Sequence, residues 1–146
     1  MGNYQKNQIM AKQKQKAVWG WFPTKQRFKP TEAQKSAIST KFEPLVQKLK
    51  ENLDPVEEPQ TRNQCVDVFT KWWRGYFYLM QKFQCPPEGY TMPGFEWGIA
   101  RLEFRGADSF DLACYRYTGE WFVIAQGQSL EACLKAVAED SWFEVF

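Results

Sequence analysis

The chain has 146 residues, of which 44% are hydrophobic, 25% charged and 17% aromatic. These values are typical of one folded domain rather than of a disordered or multi-domain protein. The sequence contains no histidine, which excludes the commonest general base, the Ser–His and Cys–His nucleophile pairs and most zinc sites. We therefore expect a protein that is not an enzyme and that uses no cofactor and no metal ion.

The four cysteines are too widely spaced for a zinc site or a redox motif, because no two of them form a CxxC pair. A disulfide framework is also disfavoured, since the chain is larger than small disulfide-stapled domains and begins with a polar, Lys- and Gln-rich segment. The longest apolar stretch near the start, residues 17–23, is far shorter than the roughly 20 residues that span a bilayer. We predict a cytoplasmic protein with reduced thiols and no contact with a membrane.

The formal net charge of +2 conceals an uneven distribution along the chain. Residues 1–50 carry eleven basic and two acidic side chains, a balance of +9, whereas residues 51–146 carry −7. A basic segment of this kind can lie along a polyanion and gain free energy by releasing its counterions. It can equally be a solvated tail, or fold back on its own acidic domain. The sequence leaves these three alternatives open.

Residues 1–30 are interpreted as a basic arm that precedes a single domain over residues 31–146. Residues 1–16 are polar and of low complexity, a composition that predicts no structure of their own. The aromatic segment at residues 19–23 either covers an edge of the protein's own core or provides a hook or a base-stacking platform for a partner. The candidate phosphate contacts in the arm are Lys12, Lys14, Lys16, Lys25, Arg27 and Lys29.

The first predicted element is a helix that starts at Thr31. Thr31 and Gln34 have the spacing of a capping box, in which side chain and backbone satisfy each other's free donors. Pro44 interrupts the helical pattern, so one kinked helix and two helices over about 31–42 and 44–53 are both compatible with the sequence. Apolar residues at spacings of mostly three or four predict the buried face. They are Ala33, Ala37, Ile38, Phe42, Leu45, Leu49 and Leu53.

A strand pair is predicted after an acidic, Pro-containing linker at residues 54–59. Apolar and polar residues alternate from residue 65 to residue 73, which is typical of a strand. A second, aromatic strand over residues 76–83 follows a turn at Arg74-Gly75. Residues 85–95 are rich in Pro and Gly, and predict a loop long enough to serve as a lid or a binding loop.

Three further strands are predicted at residues 97–104, 110–117 and 120–126, which completes an antiparallel meander of about five strands. Ser129 has the position of a helix cap, and in the helix that follows we interpret Cys133 as a small core residue. The predicted fold class is therefore α+β, with an N-terminal helix or kinked helix pair, a five-stranded antiparallel sheet and a C-terminal helix.

The second half of the chain resembles a known family. The features that carry the resemblance, in chain order, are residues 99–104 (IARLEF), Asp111 to Arg116, Gly119-Glu120-Trp121, and Leu130 to Asp140 with an aromatic tail. The series resembles an uncharacterised bacterial family known as a domain of unknown function, over roughly residues 31–146. The resemblance implies a leading helix, a strand pair, an Ala-Arg-aromatic strand, a Gly-x-Trp hairpin and a closing helix. It implies no reaction and no site residue.

Three carboxylates around one predicted hairpin, Asp108, Asp111 and Glu120, are of the kind that binds a divalent cation. Acidic residues beside turns are normally just solvated, and the Lys expected beside the carboxylates of a metal-dependent nuclease is missing. A Gly-rich phosphate loop is also missing, because the glycines at 89, 94 and 98 are not followed by Lys-Ser or Lys-Thr. No catalytic site is predicted.

The remaining candidate for function is the surface, because 7 Trp, 6 Tyr and 12 Phe exceed what one core of this size readily buries. An open sheet face with aromatic and basic side chains can stack bases and hold phosphates. The same composition is typical of protein–protein interfaces. Alternatively, the first helix and the arm cover the second face of the sheet.

We predict a small non-enzymatic accessory subunit of a nucleoprotein complex that contacts RNA or single-stranded DNA. The alternative is a protein–protein adaptor with no nucleic-acid contact. Besides the arm, the candidate nucleic-acid-binding residues are Lys71, Trp73, Arg74 and Tyr76. Further basic residues expected nearby are Lys82, Arg101, Arg105 and Arg116.

Overall fold

The N-terminal helix, α1, spans Glu32–Glu51 and starts with the predicted capping box. In a computed structural model of the protein, which describes residues 28–89 and 91–145, the Thr31 N–H donates to Gln34 Oε1 at 2.8 Å. The Gln34 N–H donates to Thr31 Oγ1 at 3.1 Å. The predicted helix start is confirmed. Residues 1–27, which include most of the arm, lie outside the described residues.

Helix α1 continues through Pro44 as a single helix, so the alternative of two helices is wrong. Proline removes one backbone hydrogen bond, but Ile38 and Phe42 before it and Val46 after it are all buried, which keeps both halves on the sheet. The predicted buried face is only partly right. Ala37 is exposed, because it lies about 100° around the helix from Ile38, and Ala33 is exposed as well.

Five strands follow in the described residues, and their order in the sheet is their order in the chain, β1-β2-β3-β4-β5. All neighbours are antiparallel, which confirms the meander and the α+β class. The strands are β1 Gln64–Trp73, β2 Tyr76–Gln84, β3 Gly94–Phe104, β4 Phe110–Tyr115 and β5 Trp121–Gln128.

The predicted loop over residues 85–95 is too long by two residues. Phe95 belongs to β3, where it pairs with Phe83, and the two rings stack at 5.0 Å between centroids. The Cys85 N–H donates to the Pro93 carbonyl at 2.8 Å, which closes the loop. Strand β4 ends at residue 115 rather than 117, because a hydrogen bond from Gly119 N–H to the Arg116 carbonyl, at 2.9 Å, already forms the turn to β5.

The C-terminal helix, α2, spans Leu130–Glu139 and begins where it was predicted to begin. The Ser129 hydroxyl accepts the Ala132 N–H at 3.1 Å, as an N-cap does. Cys133 is completely buried in this helix, which confirms its interpretation as a core residue. A short 3₁₀ turn at Ser141–Phe143 places Phe143 in the same core.

Both helices pack on one face of the sheet, and the core lies between that face and the helices. Phe77 of β2 is fully buried and contacts Phe42 of α1 at 5.0 Å between ring centroids. Trp72 of β1 packs against Phe77 at 5.1 Å and donates from Nε1 to Ser39 Oγ of α1 at 3.2 Å. The same core includes Leu79, Leu102, Leu112 and Cys133. The opposite face, which we call the open face, carries no helix within the described part of the chain.

Candidate functional site

Strand alternation places the predicted sheet contacts on the open face. Trp72 and Phe77 are paired across the β1–β2 hairpin and point into the core. Because successive side chains point to opposite faces, their neighbours Lys71, Trp73 and Tyr76 point to the open face. Trp73 and Tyr76 are paired directly at the end of the hairpin.

The predicted turn at Arg74-Gly75 is confirmed, and it has an unusual composition. Arg74 and Gly75 have φ values of 52° and 82°, as in the two-residue type I′ turn that favours Asn-Gly. The Arg74 guanidinium lies 4.4 Å from the centroid of the Trp73 ring. The Trp73 side chain is 55% exposed, so a large aromatic surface beside a cation faces solvent.

Aromatic rings continue across the open face from the first strand to the fifth. The Arg101 guanidinium of β3 lies 4.5 Å from the Tyr76 ring centroid and 5.4 Å from that of Trp121. Trp121 in turn contacts Tyr78 at 5.5 Å and Tyr115 at 4.9 Å between ring centroids. We call these rings the aromatic band. It consists of Trp73, Tyr76, Tyr78, Tyr115 and Trp121.

A depression of about 210 Å³ lies within the aromatic band. Its lining includes four of the five rings, all but Tyr76, together with Met80, Gly98, Lys71 and Glu96. A Cβ on Gly98 would lie 2.5 Å from Cη2 of Trp121, so only glycine lets that indole ring lie over β3. The shape of the depression therefore depends on having glycine, which has no Cβ, at position 98.

The depression contains one ion pair, between Lys71 and Glu96, and one neutral phenol, that of Tyr78. Lys71 Nζ lies 3.4 Å from Glu96 Oε1 at the rim, and both side chains are about half exposed. Burial raises the pKa of the Tyr78 phenol above its ordinary value, although the nearby Arg101 charge acts in the opposite direction. The phenol is therefore protonated at neutral pH.

The structure brings Lys71, Trp73, Arg74 and Tyr76 together at one end of the open face. Lys29 is exposed on the segment that leads into α1. The other five predicted phosphate contacts, Lys12, Lys14, Lys16, Lys25 and Arg27, lie outside the described residues.

The nearby basic residues differ in their surroundings. Arg101 lies within the aromatic band, whereas Arg105 lies 3.6 Å from Glu103 and 3.8 Å from Asp111 at the end of β3. Arg116 lies over the Phe122 ring at 5.1 Å, and Lys82 is exposed. Arg101 is therefore the nearby basic residue that contacts the rings of the candidate site.

Six residues of this site are not among those predicted from the sequence: Tyr78, Met80, Glu96, Gly98, Tyr115 and Trp121. Tyr115 and Trp121 are paired directly across the β4–β5 turn, so the Thr118-Gly119 turn with an aromatic residue on each side was a usable signal. Glu96 and Gly98 had no such signal, because their place opposite Lys71 and Trp121 depends on register across several strands.

Of the three carboxylates considered for a cation site, Asp108 and Asp111 bond to backbone N–H groups instead, and Glu120 is exposed. Asp108 Oδ1 accepts the Leu130 N–H at 2.9 Å, at the start of α2. Asp111 is buried and its Oδ1 accepts the Gly127 N–H at 3.1 Å. Among residues 28–89 and 91–145, no three His, Cys, Asp or Glu side chains are grouped so as to hold a metal ion.

A larger groove of about 600 Å³ lies on the covered side, at the opposite end of β1 from Trp73. It runs between the C-terminal ends of the two helices and the start of β1. Arg62, which lines it, is paired with Glu57 at 3.1 Å. Four acidic residues also line it, namely Asp54, Glu139, Asp140 and Glu144. Its charge disfavours an anionic ligand.

Comparison with known proteins assigns the chain to a family. None of the helices described for this chain is both long enough and apolar enough to cross a membrane. A search of curated proteins and a search of solved structures each found no match. The model of the family DUF3024, described as a domain of unknown function, matches residues 31–144, from the cap of α1 to the tail after α2. The chain therefore belongs to the DUF3024 family, as the resemblance implied.

Proposed function

We propose that the protein is a small non-enzymatic accessory subunit of a nucleoprotein complex, and that it contacts RNA or single-stranded DNA through its open face and its basic arm. The observation that carries this proposal is the Trp73–Arg74 pair: a 55% exposed indole with a guanidinium 4.4 Å above it. Exposed aromatic rings and arginine planes are the groups on which unpaired bases stack.

The extent of the aromatic band supports a single strand as the ligand. The band runs from the edge strand β1 to the edge strand β5. The Trp121 ring reaches back over β3 to Tyr78 of β2, so the rings form one connected surface on which more than one base of a single strand can stack. Bases must be unpaired to reach these rings, so a duplex is not the expected ligand.

Charge also favours the open face over the groove on the covered side. Lys71, Arg74 and Arg101 lie on or beside the band, whereas the groove on the covered side is lined by acidic residues. The six basic side chains between residues 12 and 29 add charge with no acidic residue before Glu32. A phosphate backbone is attracted by such charges through counterion release.

The test is binding of a labelled, mixed-sequence single-stranded oligonucleotide, measured by fluorescence anisotropy. Trp73→Ala should weaken binding by about 1–3 kcal/mol, the usual contribution of one stacked base. Trp142→Ala is the matched control, because Trp142 is 58% exposed but lies in the 3₁₀ turn after α2, away from the band. A wild-type affinity no tighter than millimolar at about 50 mM salt would refute the proposal.

The protein–protein adaptor remains the second candidate, and one observation favours it. Phe122 and Val123 of the edge strand β5 are 43% and 41% exposed, and the exposed Trp142 lies 6.3 Å from Phe122. An edge strand with exposed apolar side chains can pair with a strand of another protein. This candidate predicts a protein partner that survives nuclease treatment, is lost in Phe122→Glu and is retained in Trp73→Ala.

A further inference from the structure

We infer that the depression in the aromatic band is a pocket for one unpaired guanine base, whose edge is read by Glu96 and Lys71. This inference rests on the proposed nucleic-acid contact and deepens it from non-specific binding to a base preference. It is carried by the size of the depression, by its ring-lined walls and by the ion pair at its rim.

The size fits a single planar ring system. The depression measures about 210 Å³, below the roughly 300–1,000 Å³ of pockets that hold drug-sized ligands. The buried residues Met80 and Gly98 lie between the rings. A single base can enter here, while the neighbouring nucleotides remain along the rest of the band.

The walls are suited to stacking. Tyr78, Tyr115 and Trp121 form one contact group, with ring centroids 5.5 Å apart for Tyr78 and Trp121 and 4.9 Å apart for Tyr115 and Trp121. Trp73, the most exposed ring of the band, lines the same depression. Stacking of this kind accepts any base, because every base has a π-face. The preference must therefore come from the polar rim.

The rim offers one carboxylate and one ammonium group. Glu96 and Lys71 are the charged side chains among the described residues that line the depression, and their Oε1 and Nζ atoms lie 3.4 Å apart. A carboxylate provides two acceptor oxygens side by side, and an ammonium group provides three donors and no acceptor. The complementary edge of a base has two adjacent N–H donors next to an acceptor.

Guanine is the base with that edge. Its N1–H and N2–H groups can donate to the two oxygens of Glu96, while its O6 accepts from Lys71. Adenine, cytosine and uracil each place an acceptor next to their N–H donor, so one carboxylate oxygen would face a lone pair or lose its partner. Each of these bases therefore makes fewer hydrogen bonds to Glu96 than guanine does.

A methylated ammonium group is the other ligand that aromatic walls and a carboxylate attract. Two cations already lie on these rings. Lys71 Nζ is 5.9 Å from the Tyr78 centroid, and Arg101 is 5.4 Å from the Trp121 centroid. The positive charges of Lys71 and Arg101 would repel a methylated ammonium group bound between these rings. They would not repel a neutral base. The observations therefore favour the base.

The experiment compares four single-stranded oligonucleotides that differ only in one central base, guanine, adenine, cytosine or uracil, by fluorescence anisotropy with the full chain. We expect the guanine strand to bind at least about fivefold more tightly than the others, the lower end of the discrimination that one bidentate contact gives. Glu96→Gln keeps the size of the side chain and should abolish the guanine preference, because the amide replaces one of the two acceptor oxygens with a donor. The matched control, Glu131→Gln, changes an exposed residue of α2 and should leave the preference intact.

The outcomes separate this inference from the proposed function. Equal affinity for all four strands would overturn the guanine pocket and leave the nucleic-acid contact standing. A preference that survives Glu96→Gln would overturn the role of Glu96. No binding to any strand would overturn both. Quenching of tryptophan fluorescence by trimethyllysine but not by guanosine monophosphate would show a cation cage instead.

Discussion

The Arg74 guanidinium lies over the Trp73 ring at 4.4 Å, and the backbone that holds it there has a φ of 52° at Arg74. For most residues with a Cβ, this left-handed conformation costs roughly 1–2 kcal/mol. Asn and Gly are usual at this position of a type I′ turn and are destabilised less, Gly because it has no Cβ and Asn because its short polar side chain can hydrogen-bond locally. The hairpin is therefore less stable with Arg74 than it would be with Asn or Gly at this position. The strained residue is the one that places a cation beside the exposed Trp73 ring.

Replacing this arginine should separate stability from binding. Arg74→Asn keeps a residue that tolerates the turn conformation, so we expect the free energy of unfolding to stay the same or to rise by up to about 1 kcal/mol. Oligonucleotide affinity should fall, because the cation beside Trp73 is lost. Urea unfolding and anisotropy on the same variant check both. A less stable variant would show that the Arg74 side chain supports the fold.

The basic arm and the aromatic band should contribute differently to the salt dependence of binding. Neutralising the six residues Lys12, Lys14, Lys16, Lys25, Arg27 and Lys29 should flatten the plot of log affinity against log salt, because each phosphate contact on a single strand releases about 0.7 counterions. Trp73→Ala should lower affinity without changing that slope, since stacking releases no counterions. A salt titration of the three proteins makes the comparison. An unchanged slope in the arm variant would exclude phosphate contacts there.

The close approach of Trp121 to Gly98 predicts a steric conflict. A Cβ at position 98 would lie 2.5 Å from Cη2 of Trp121, so Gly98→Ala should reduce the free energy of unfolding by about 1–3 kcal/mol, the usual cost of overpacking. In a double-mutant cycle, Trp121→Ala should remove most of that cost. Additive effects of the two substitutions would contradict the contact.

Burial should make stability depend on alkaline pH through Cys133. Burial raises the pKa of this thiol from its ordinary 9.0 to about 12, and Asp108 and Asp111 act in the same direction. Above pH 9.0 the unfolded thiol loses its proton while the folded one keeps it, so the free energy of unfolding falls until the pH reaches about 12. The slope from this group is at most about 1.4 kcal/mol per pH unit.

Comparison with Cys133→Ala isolates that effect. The variant should lose on the order of 1–2 kcal/mol at neutral pH, and its stability should fall less between pH 9.0 and about 12 than that of the wild type. Urea unfolding of both proteins across this range measures the difference. If the free energy of unfolding fell equally with pH in both proteins, the pKa of Cys133 would not be higher in the folded state than in the unfolded state.

Features encoded within a few residues were predictable, and features that depend on strand register were not. The capping box at Thr31, the Arg74-Gly75 turn and the Ser129 cap each involve neighbours in the chain, so their chemistry is visible in the sequence. The depression is different. It requires Met80 opposite Gly98, a pairing fixed by a register shift between Leu79 and Met80, and a bulge of this kind leaves no clear mark in one sequence.

The strand order of the sheet has a consequence for how the chain folds. Each strand pairs with the next one along the chain, so the sheet can grow one hairpin at a time, and each closure costs only the entropy of a short loop. The contact between α1 and α2 instead joins the two ends of the domain. We therefore expect the aromatic band to assemble together with the meander, before docking of the helices brings the two ends of the domain into contact.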